Sequence, residues 1–270
     1  MSATHFSVAT WNINSVRLRR GLVEQFLLDH APDVLCLQET KCQNAEFPSG
    51  AFAKLGYNHV AIHGQKAYHG VATLSRLPQH EIERIDFCEM GDARHVKSVV
   101  SVGGKRIAVH NFYVPAGGDE PDPDANPKFD HKLKFVNEMA DIRADAADVD
   151  ASILVGDLNI APLPEDVWSH KQLLKVVSHT PVETELLERV RVDAGWADVV
   201  RGHFGPDQAL YSWWSYRAKD WAASNRGRRL DHIWATPALM DTLQKVEIIT
   251  HARGWEKPSD HVPVIARFSL

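Results

Sequence analysis

The feature that most constrains this chain is a repeated one: four short apolar runs each close on polar side chains. They read Val8-Ala9-Thr10-Trp11-Asn12, Val34-Leu35-Cys36-Leu37-Gln38-Glu39, Val109-His110-Asn111-Phe112-Tyr113 and Ile153-Leu154-Val155-Gly156-Asp157-Leu158-Asn159. Runs this rich in β-branched and aromatic residues predict strands. Alternation along a strand puts Asp157 and Asn159 on one face, and likewise Asn111 and Tyr113. A single such run needs no more than a strand reaching solvent. Four of them, joined by Leu230-Asp231 and Ser259-Asp260-His261 near later strands, point to one shared polar site at the strand mouths.

The first 115 residues predict further strands over Phe6 to Ile13, Val34 to Glu39, Tyr57 to Ile62, Val71 to Ser75 and Arg106 to Val114. One helix interrupts them, from about Val16 to His30, with Leu18, Val23, Phe26 and Leu27 as its apolar stripe and Ala31-Pro32 as its stop. Residues 116–128 form an acidic Gly/Pro-rich loop, read as a solvated surface segment, and a helix from about Phe129 to Ala146 follows. A second series predicts a strand over Ser152 to Asn159, a helix over Val182 to Ala194, and strands near Leu230 to Ala235, Val246 to His251 and Val264 to Phe268. No linker-like stretch separates the two series. The expectation is α/β, one domain over residues 1–270, built from two packed mixed sheets with helices outside.

With 270 residues, 44% apolar and 24% charged, the chain is long enough for a sizeable core and is of ordinary globular composition. It has no run of 18 apolar residues and no basic, apolar start of the secretory kind, so no membrane partner and a cytoplasmic location are expected. Cys36, Cys42 and Cys88 make neither a disulfide framework nor a CxxC metal site, which fits a reducing compartment. A net charge of −5 excludes a protein that coats nucleic acid by bulk electrostatics, so contact with a polyanion must be focused.

If Glu39, Asp157, Asp231 and Asp260 converge, each close pair repels by about 4 kcal/mol at an effective dielectric near 20. A cation or raised pKa values must compensate. Carboxylates with Asn amides are hard oxygen donors suited to Mg²⁺ or Mn²⁺, and a phosphate ester is the substrate such a site serves. Among 15 histidines, His261 stands out because it directly follows Asp260 and has Asp231 available to orient its imidazole; His232, next to Asp231 but on the opposite strand face, reads as packing. Between Tyr211 and Arg229 the aromatics Tyr211, Trp213, Trp214, Tyr216 and Trp221 alternate with Arg217, Lys219, Arg226, Arg228 and Arg229 against one acid, Asp220. Trp214 and Tyr216 fit a strand's core face; the cations suit a polynucleotide groove, with charge for phosphates and rings for unstacked bases.

Together, Trp11-Asn12-Ile13-Asn14, Leu37-Gln38-Glu39-Thr40-Lys41, Asn111-Phe112-Tyr113-Val114-Pro115, Gly156-Asp157-Leu158-Asn159-Ile160-Ala161-Pro162, Arg229-Leu230-Asp231 and Lys257-Pro258-Ser259-Asp260-His261-Val262-Pro263 resemble the exonuclease III family of abasic-site endonucleases, from Phe6 to Phe268. The resemblance implies a four-layered α/β sandwich with its active site at one rim. By motif, Asn12, Glu39 and Asp260 look like metal ligands for one or two ions, Mg²⁺ with Mn²⁺ substituting. Asp157 and Asn159 lie near a second position, and His261 is close enough to join the metal set. The resemblance further implies that Asp157 aligns or deprotonates the attacking water, that Asn159 and Tyr113 hold the scissile phosphate, and that Asp231 orients His261 onto it; whether Asp157 or His261 is the base stays open. Trp213 resembles the aromatic of the abasic pocket, and Arg94, Lys128, Arg217 and Asn225 look like DNA contacts.

The implied activity is a metal-dependent phosphodiesterase on duplex DNA that cleaves 5′ to abasic sites and trims 3′ ends, as a monomer with at most transient repair-protein contacts. Three departures bear on it: Ala116-Gly117-Gly118 where an amide is usual after Tyr-x-Pro, the acidic loop beyond, and the bulky Asp166-Val167-Trp168-Ser169-His170, which narrows the pocket. The alternatives are inositol or sphingolipid head groups as substrates, and a DNA-binding protein with a dead site.

Overall fold

The computed structural model describes residues 4–270. Two six-stranded mixed sheets pack face to face. In one the order is Leu243–Ile248, Val264–Ser269, His5–Asn12, Val34–Gln38, Val71–Ser75, His59–His63; in the other it is Gln79–Glu83, His95–Val102, Lys105–Tyr113, Ala151–Asp157, Asp231–Ala235, Ala197–Asp198. Each sheet has one parallel pair at its centre, His5–Asn12 with Val34–Gln38 and Lys105–Tyr113 with Ala151–Asp157, flanked by antiparallel strands.

Strand alternation explains the layers. Val8, Val34, Cys36, Val109, Ile153, Val155 and Ile233 meet between the sheets. Their alternates face outward: Ala9, Trp11, Leu35 and Leu37 pack on Val23, Phe26 and Leu27 of the helix Arg20–His30. Phe112, Leu154 and Trp234 pack on Phe135 and Val136 of Pro127–Glu138 and on Leu187 and Val190 of Pro181–Asp193. Strands covered on both faces must be apolar throughout, which is why the four runs carry so little polarity before their ends. The result is the expected four-layered α/β sandwich. No helix among the described residues is long and apolar enough to cross a membrane.

Several boundaries differ from the sequence reading. The first helix begins at Arg20, because Asn14 and Ser15 adopt positive φ and the segment after them turns; Leu18 is therefore outside the helix and exposed. The helix after the acidic loop ends at Glu138 and passes into a 3-10 turn, Met139–Asp141. The strand expected to reach Asn159 stops at Asp157, and Asn159 has positive φ. Near the C-terminus the strand is Leu243–Ile248, and Thr250–Gly254 is a 3-10 helix. Three strands of the two sheets escaped the reading: Gln79–Glu83 is a polar, exposed edge, His95–Val102 hides His95 and Ser98 among its buried residues, and Ala197–Asp198 is an edge of only two residues.

Polar links also cross between the sheets near one rim. Gln38 Nε2 donates to Asn111 Oδ1 at 2.7 Å, and Asn111 Nδ2 donates to the carbonyls of Leu37 and Ala72. Gly156 has a φ of 146°, and a Cβ there would be driven into the Phe112 carbonyl oxygen of the paired strand, so the close approach of these two central strands requires glycine.

Two buried histidines add an acid sensitivity. Burial lowers His110 to about 3, and burial with the Arg229 charge lowers His232 to about 4. Folded, both stay neutral; unfolded, both titrate near the usual 6.5, so the unfolded chain takes up protons that the native state refuses and stability is lost as pH falls below about 6.5. Urea unfolding between pH 6 and pH 4 is therefore expected to show a slope that shrinks by up to about 1.4 kcal/mol per pH unit in His110→Gln; an unchanged slope would contradict the buried neutral state.

Candidate active site

The four central parallel strands end together at one rim, with Asn12, Gln38, Tyr113 and Asp157 as their last residues. Asp231 opens the strand paired to the last of these, directly opposite Asp157. Asp260 and His261 arrive from the loop before Val264–Ser269. The cleft they border, about 760 Å³, is lined by Glu39, Tyr113, Asp157, Asn159, Asp260 and His261 on its floor.

Asn12 is the hub. Its Nδ2 donates to Glu39 Oε1 at 2.9 Å and to Asp157 Oδ2 at 2.8 Å, while its Oδ1 accepts from the Asn14 N–H at 3.1 Å. Expected as a ligand, Asn12 instead bridges two carboxylates through its amide nitrogen in this structure. Asp157 Oδ1 accepts the Asn159 N–H at 3.0 Å, and Asn159 Nδ2 donates to Val114 O at 2.9 Å and to Asp157 Oδ2 at 3.2 Å. The Asn159 amide thus ties Asp157 to the Val114 carbonyl, one contact to each.

His261 lies between two acids: its Nδ1 donates to Asp231 Oδ2 at 2.8 Å, and its Nε2 is 3.6 Å from Asp157 Oδ2. Asp231 in turn accepts Ser212 Oγ–H at 2.6 Å. Burial opposes the charge on His261, but Asp231 and Asp157 outweigh it and raise the imidazole to about 10. Burial raises Asp157, with Asp231 adding to the effect and His261 opposing it. Glu39 is held below the usual carboxylate range, because the Lys41 ammonium at 2.8 Å overcomes the effect of burial. Asp260 is likewise held low against burial, by the His261 charge and by hydrogen bonds from Trp213 Nε1 at 3.0 Å and Asn14 Nδ2 at 3.2 Å. Burial, then Glu39 and Asp157, push the Tyr113 phenol far up, so it remains a donor.

The remaining sequence-predicted residues divide. Trp213 and Arg217 line the cleft. Arg94 does not face it openly: its guanidinium is buried 5.0 Å over the Tyr113 ring, bonds Asp92 at 2.8 Å and donates to the Tyr113 carbonyl. Lys128 is exposed at a helix start and Asn225 accepts from Trp214 Nε1, and neither lines the cleft. Trp214 is core, but Tyr216 is exposed, and its hydroxyl donates to Pro258 O and accepts from Arg19. His232 packs on the far strand face and bonds Ile160 O.

The loop read as pure surface is in part cleft wall: Ala116, Gly118 and Asp119 line it. So does Trp168, fixed by the buried Asp166, which holds Arg229 at 2.6 Å and Arg201. Lys132, which sequence reasoning missed, is fully buried and donates to Ala116 O, to Asn159 O at 2.8 Å and to Glu183 Oε1 at 2.5 Å. Glu183 also accepts the Ser178 and Thr180 N–H groups, so one ion pair ties together three loops of the wall. Its only sequence signal was Thr180-x-x-Glu183, a capping box. Ser212, Lys41 and Asn14 were also missed as supports; each is a common residue whose role depends on a distant partner.

A model of the Endonuclease/Exonuclease/phosphatase family matches residues 9–261. The chain belongs to this family. It is 32% identical to an exodeoxyribonuclease III of Haemophilus influenzae, covering 96% of this chain and 98% of that protein, and 28% identical to the DNA repair nuclease APEX1 of Danio rerio, covering 97% and 82%. Among solved structures, it is similar to an AP endonuclease from Archaeoglobus fulgidus (TM-score 0.89, 31% identity, 98% of this chain and 100% of that one). It is equally similar to the 3′ phosphatase NExo from Neisseria bound to a product DNA hairpin (TM-score 0.89, 30% identity, 98% and 100%). The exonuclease III resemblance read from the motifs is confirmed by these full-length matches.

Lys132→Met leaves Glu183 as an unpaired charge in the interior, so it should lower stability by about 3–5 kcal/mol, whereas adding Glu183→Gln should restore part of the loss. Urea unfolding of the two variants checks the pair; equal stability of Lys132→Met and the parent would refute the clamp.

Proposed function

We propose that this family member is a metal-dependent DNA repair phosphodiesterase that cleaves duplex DNA 5′ to abasic sites and works on 3′ ends as exonuclease and as 3′-phosphatase or phosphodiesterase. The observation that carries the reading is the Asp231–His261–Asp157 chain beside Asn159, at 2.8 and 3.6 Å, opening into a cleft walled by arginines and tryptophans. The full-length likeness to repair nucleases supports it.

The donor set fits a hard divalent cation. Glu39, Asp157, Asp231 and Asp260 are four carboxylates against two adjoining cations, Lys41 and His261, and buried Asp231 Oδ1 has no hydrogen-bond partner among the described residues. Asp157, Asp231 and His261 also bring potential ligand atoms within 4.8 Å of one another, but the 2.8 Å Asp231–His261 bond commits that pair to a proton. Glu39 and Asp260 are left as the side chains to hold Mg²⁺, or Mn²⁺ in its place, with the Asn12 amide hydrogen-bonded to Glu39 beside them. Bound there, the ion would polarise a phosphate oxygen and offset the charge that builds up on it.

The chain's own groups do the rest. Asp231 keeps His261 protonated and aimed, so His261 Nε2–H donates to a non-bridging phosphate oxygen. An imidazolium held charged cannot also be the base at neutral pH, which leaves Asp157 to take the proton of the attacking water. Asn159 and Asn12 fix the rotamer of Asp157, and Tyr113 supplies a second neutral donor to the phosphate. Trp213 and Arg217 face the substrate, and Arg94 acts by seating Tyr113. We take the protein to work as a monomer in a reducing, cytoplasmic setting, where free thiols such as buried Cys36 and Cys42 persist.

Cleavage of a 5′-labelled duplex with one abasic analogue should give a single band at the lesion with Mg²⁺ and none with EDTA. Asp157→Asn should cut the rate by about 10²–10⁴-fold with DNA binding preserved; near-normal turnover would refute the assignment. In Asp231→Asn the imidazolium loses the charge that raises its pKa, so the alkaline limb of the pH–rate profile should move to lower pH; an unmoved limb would remove His261 from its donor role.

A further inference from the structure

The wall of the cleft next to His261 contains two cations, Arg226 and Arg228, that form no ion pair among the described residues. Arg228 lies 5.2 Å over the Trp213 ring, and Arg226 lies 4.6 Å over the Trp168 ring. The two stacks are neighbours: Trp213 pairs with Arg228 in a short antiparallel ladder, Val167 bridges to Arg228, and Trp168 N–H donates to Gly227 O. Trp213 itself bridges to His261 and bonds Asp260, so the stacks adjoin the reacting groups.

Arg228 is the unusual member. Its Nη1 donates to Val177 O at 3.0 Å and Ser178 Oγ at 2.6 Å, yet no carboxylate is within 4.0 Å of it among the described residues, and its Nε is buried without a partner. Glu183, the acid that acts on it from a distance, is already taken by Lys132. Asp119, which also lines the cleft, is in no ion pair with either arginine among the described residues. The Nε is closed off, but Nη2 makes no hydrogen bond among the described residues and belongs to a side chain that lines the cleft, so it is the donor left for an anion entering there, and a half-buried guanidinium that meets no acid is stabilised by that anion. The indole faces hold the two cations in place, so they are preorganised.

The chemistry at His261 says what that anion is. Under the reading proposed above, on which this inference rests, water adds to phosphorus, the P–O3′ bond breaks, and the 3′ oxygen leaves with a proton as the hydroxyl of the DNA. Whatever else is esterified to phosphorus stays on it and occupies the cleft beyond. A deoxyribose remnant there is neutral; a terminal phosphate brings an extra anionic oxygen, and a phosphate carrying a short acid brings a carboxylate. We propose that Arg228, seated on Trp213 and supported by Arg226 on Trp168, forms an anion subsite that selects 3′ ends blocked by an anionic group, a terminal phosphate or a carboxylate-tipped phosphate ester, over neutral abasic sugars.

The test compares kcat/KM on four duplexes: a 3′-phosphate, a 3′-phosphoglycolate, its carboxamide analogue, and an internal tetrahydrofuran abasic site. The wild type should prefer the glycolate over the carboxamide by about tenfold or more, two substrates that differ only by the charge. Arg228→Leu should erase that preference and lower the 3′-phosphate to abasic ratio by about tenfold or more, and Arg228→Lys should recover part of both. The arms also tell which anionic end is favoured. Equal loss on all four duplexes in Arg228→Leu, or a wild type indifferent to the carboxylate, overturns the subsite; the second measurement needs no variant to fold. A wild type that releases nothing from any of the duplexes with Mg²⁺ overturns the repair-nuclease reading itself.

Discussion

Everything at the rim depends on one amide. Asn12 Nδ2 reaches Glu39 from the neighbouring strand of its own sheet and Asp157 from the opposite sheet. Without a donor between them, these carboxylates would repel by several kcal/mol at this depth. With it, the two sheets can close at the edge where acids gather, and the same contact fixes the Asp157 oxygens toward His261. The register of the parallel strand pairs is what brings Asn12 and Asp157 to one level, and Gly156 lets the Phe112 and Asp157 strands approach closely enough.

Around that hub, charge is arranged in matched groups. His261 is kept cationic by two acids, Glu39 anionic by Lys41, and Asp260 anionic by His261, Trp213 and Asn14. Deeper, Lys132 with Glu183 and Asp166 with Arg229 and Arg201 are buried ion pairs that also bond loop backbone, the first through Asn159 and Ala116, the second through the Leu163 N–H. Buried pairs of this kind contribute little net stability against an apolar alternative, but they specify one loop arrangement. Arg226 and Arg228 stand outside this balance, held by indole faces instead of acids. The cleft is thus negative on its floor and positive on one wall, the pattern of a site that needs a cation for one part of its substrate and meets an anion with another.

Much of the site was legible because its side chains end strands. An acid or amide that interrupts an apolar run is conspicuous, and strand alternation gives its face, so Glu39, Tyr113, Asp157, Asn159, Asp231, Asp260 and His261 stood out. Less was legible in loops. Residues 116–119 look like surface by composition, yet Lys132 and Asn126 fold them onto the cleft, and no local pattern announces a contact between residues 16 or 9 positions apart in irregular chain. Tyr216 was misread as core because Tyr211 to Arg229 makes only two residues of strand before turning. His95–Val102 was missed because its buried face carries a histidine and a serine, and Gln79–Glu83 because an edge strand has little apolar face to show.

The sequence by itself determined the layers and the chemistry. Period-two burial with apolar runs on both faces allows little but central strands covered on each side, and hard oxygen donors beside one oriented imidazole suit a phosphate ester. Only the tertiary structure decided which atoms do what. Whether the Asn12 amide presents nitrogen or oxygen, whether Arg94 meets solvent or lies under Tyr113, and whether Arg228 finds an acid all depend on side chains from distant segments within about 3–5 Å, the range over which hydrogen bonds, ion pairs and ring stacking act. A one-dimensional pattern carries the period of a strand; it does not carry the distance between two strands' ends.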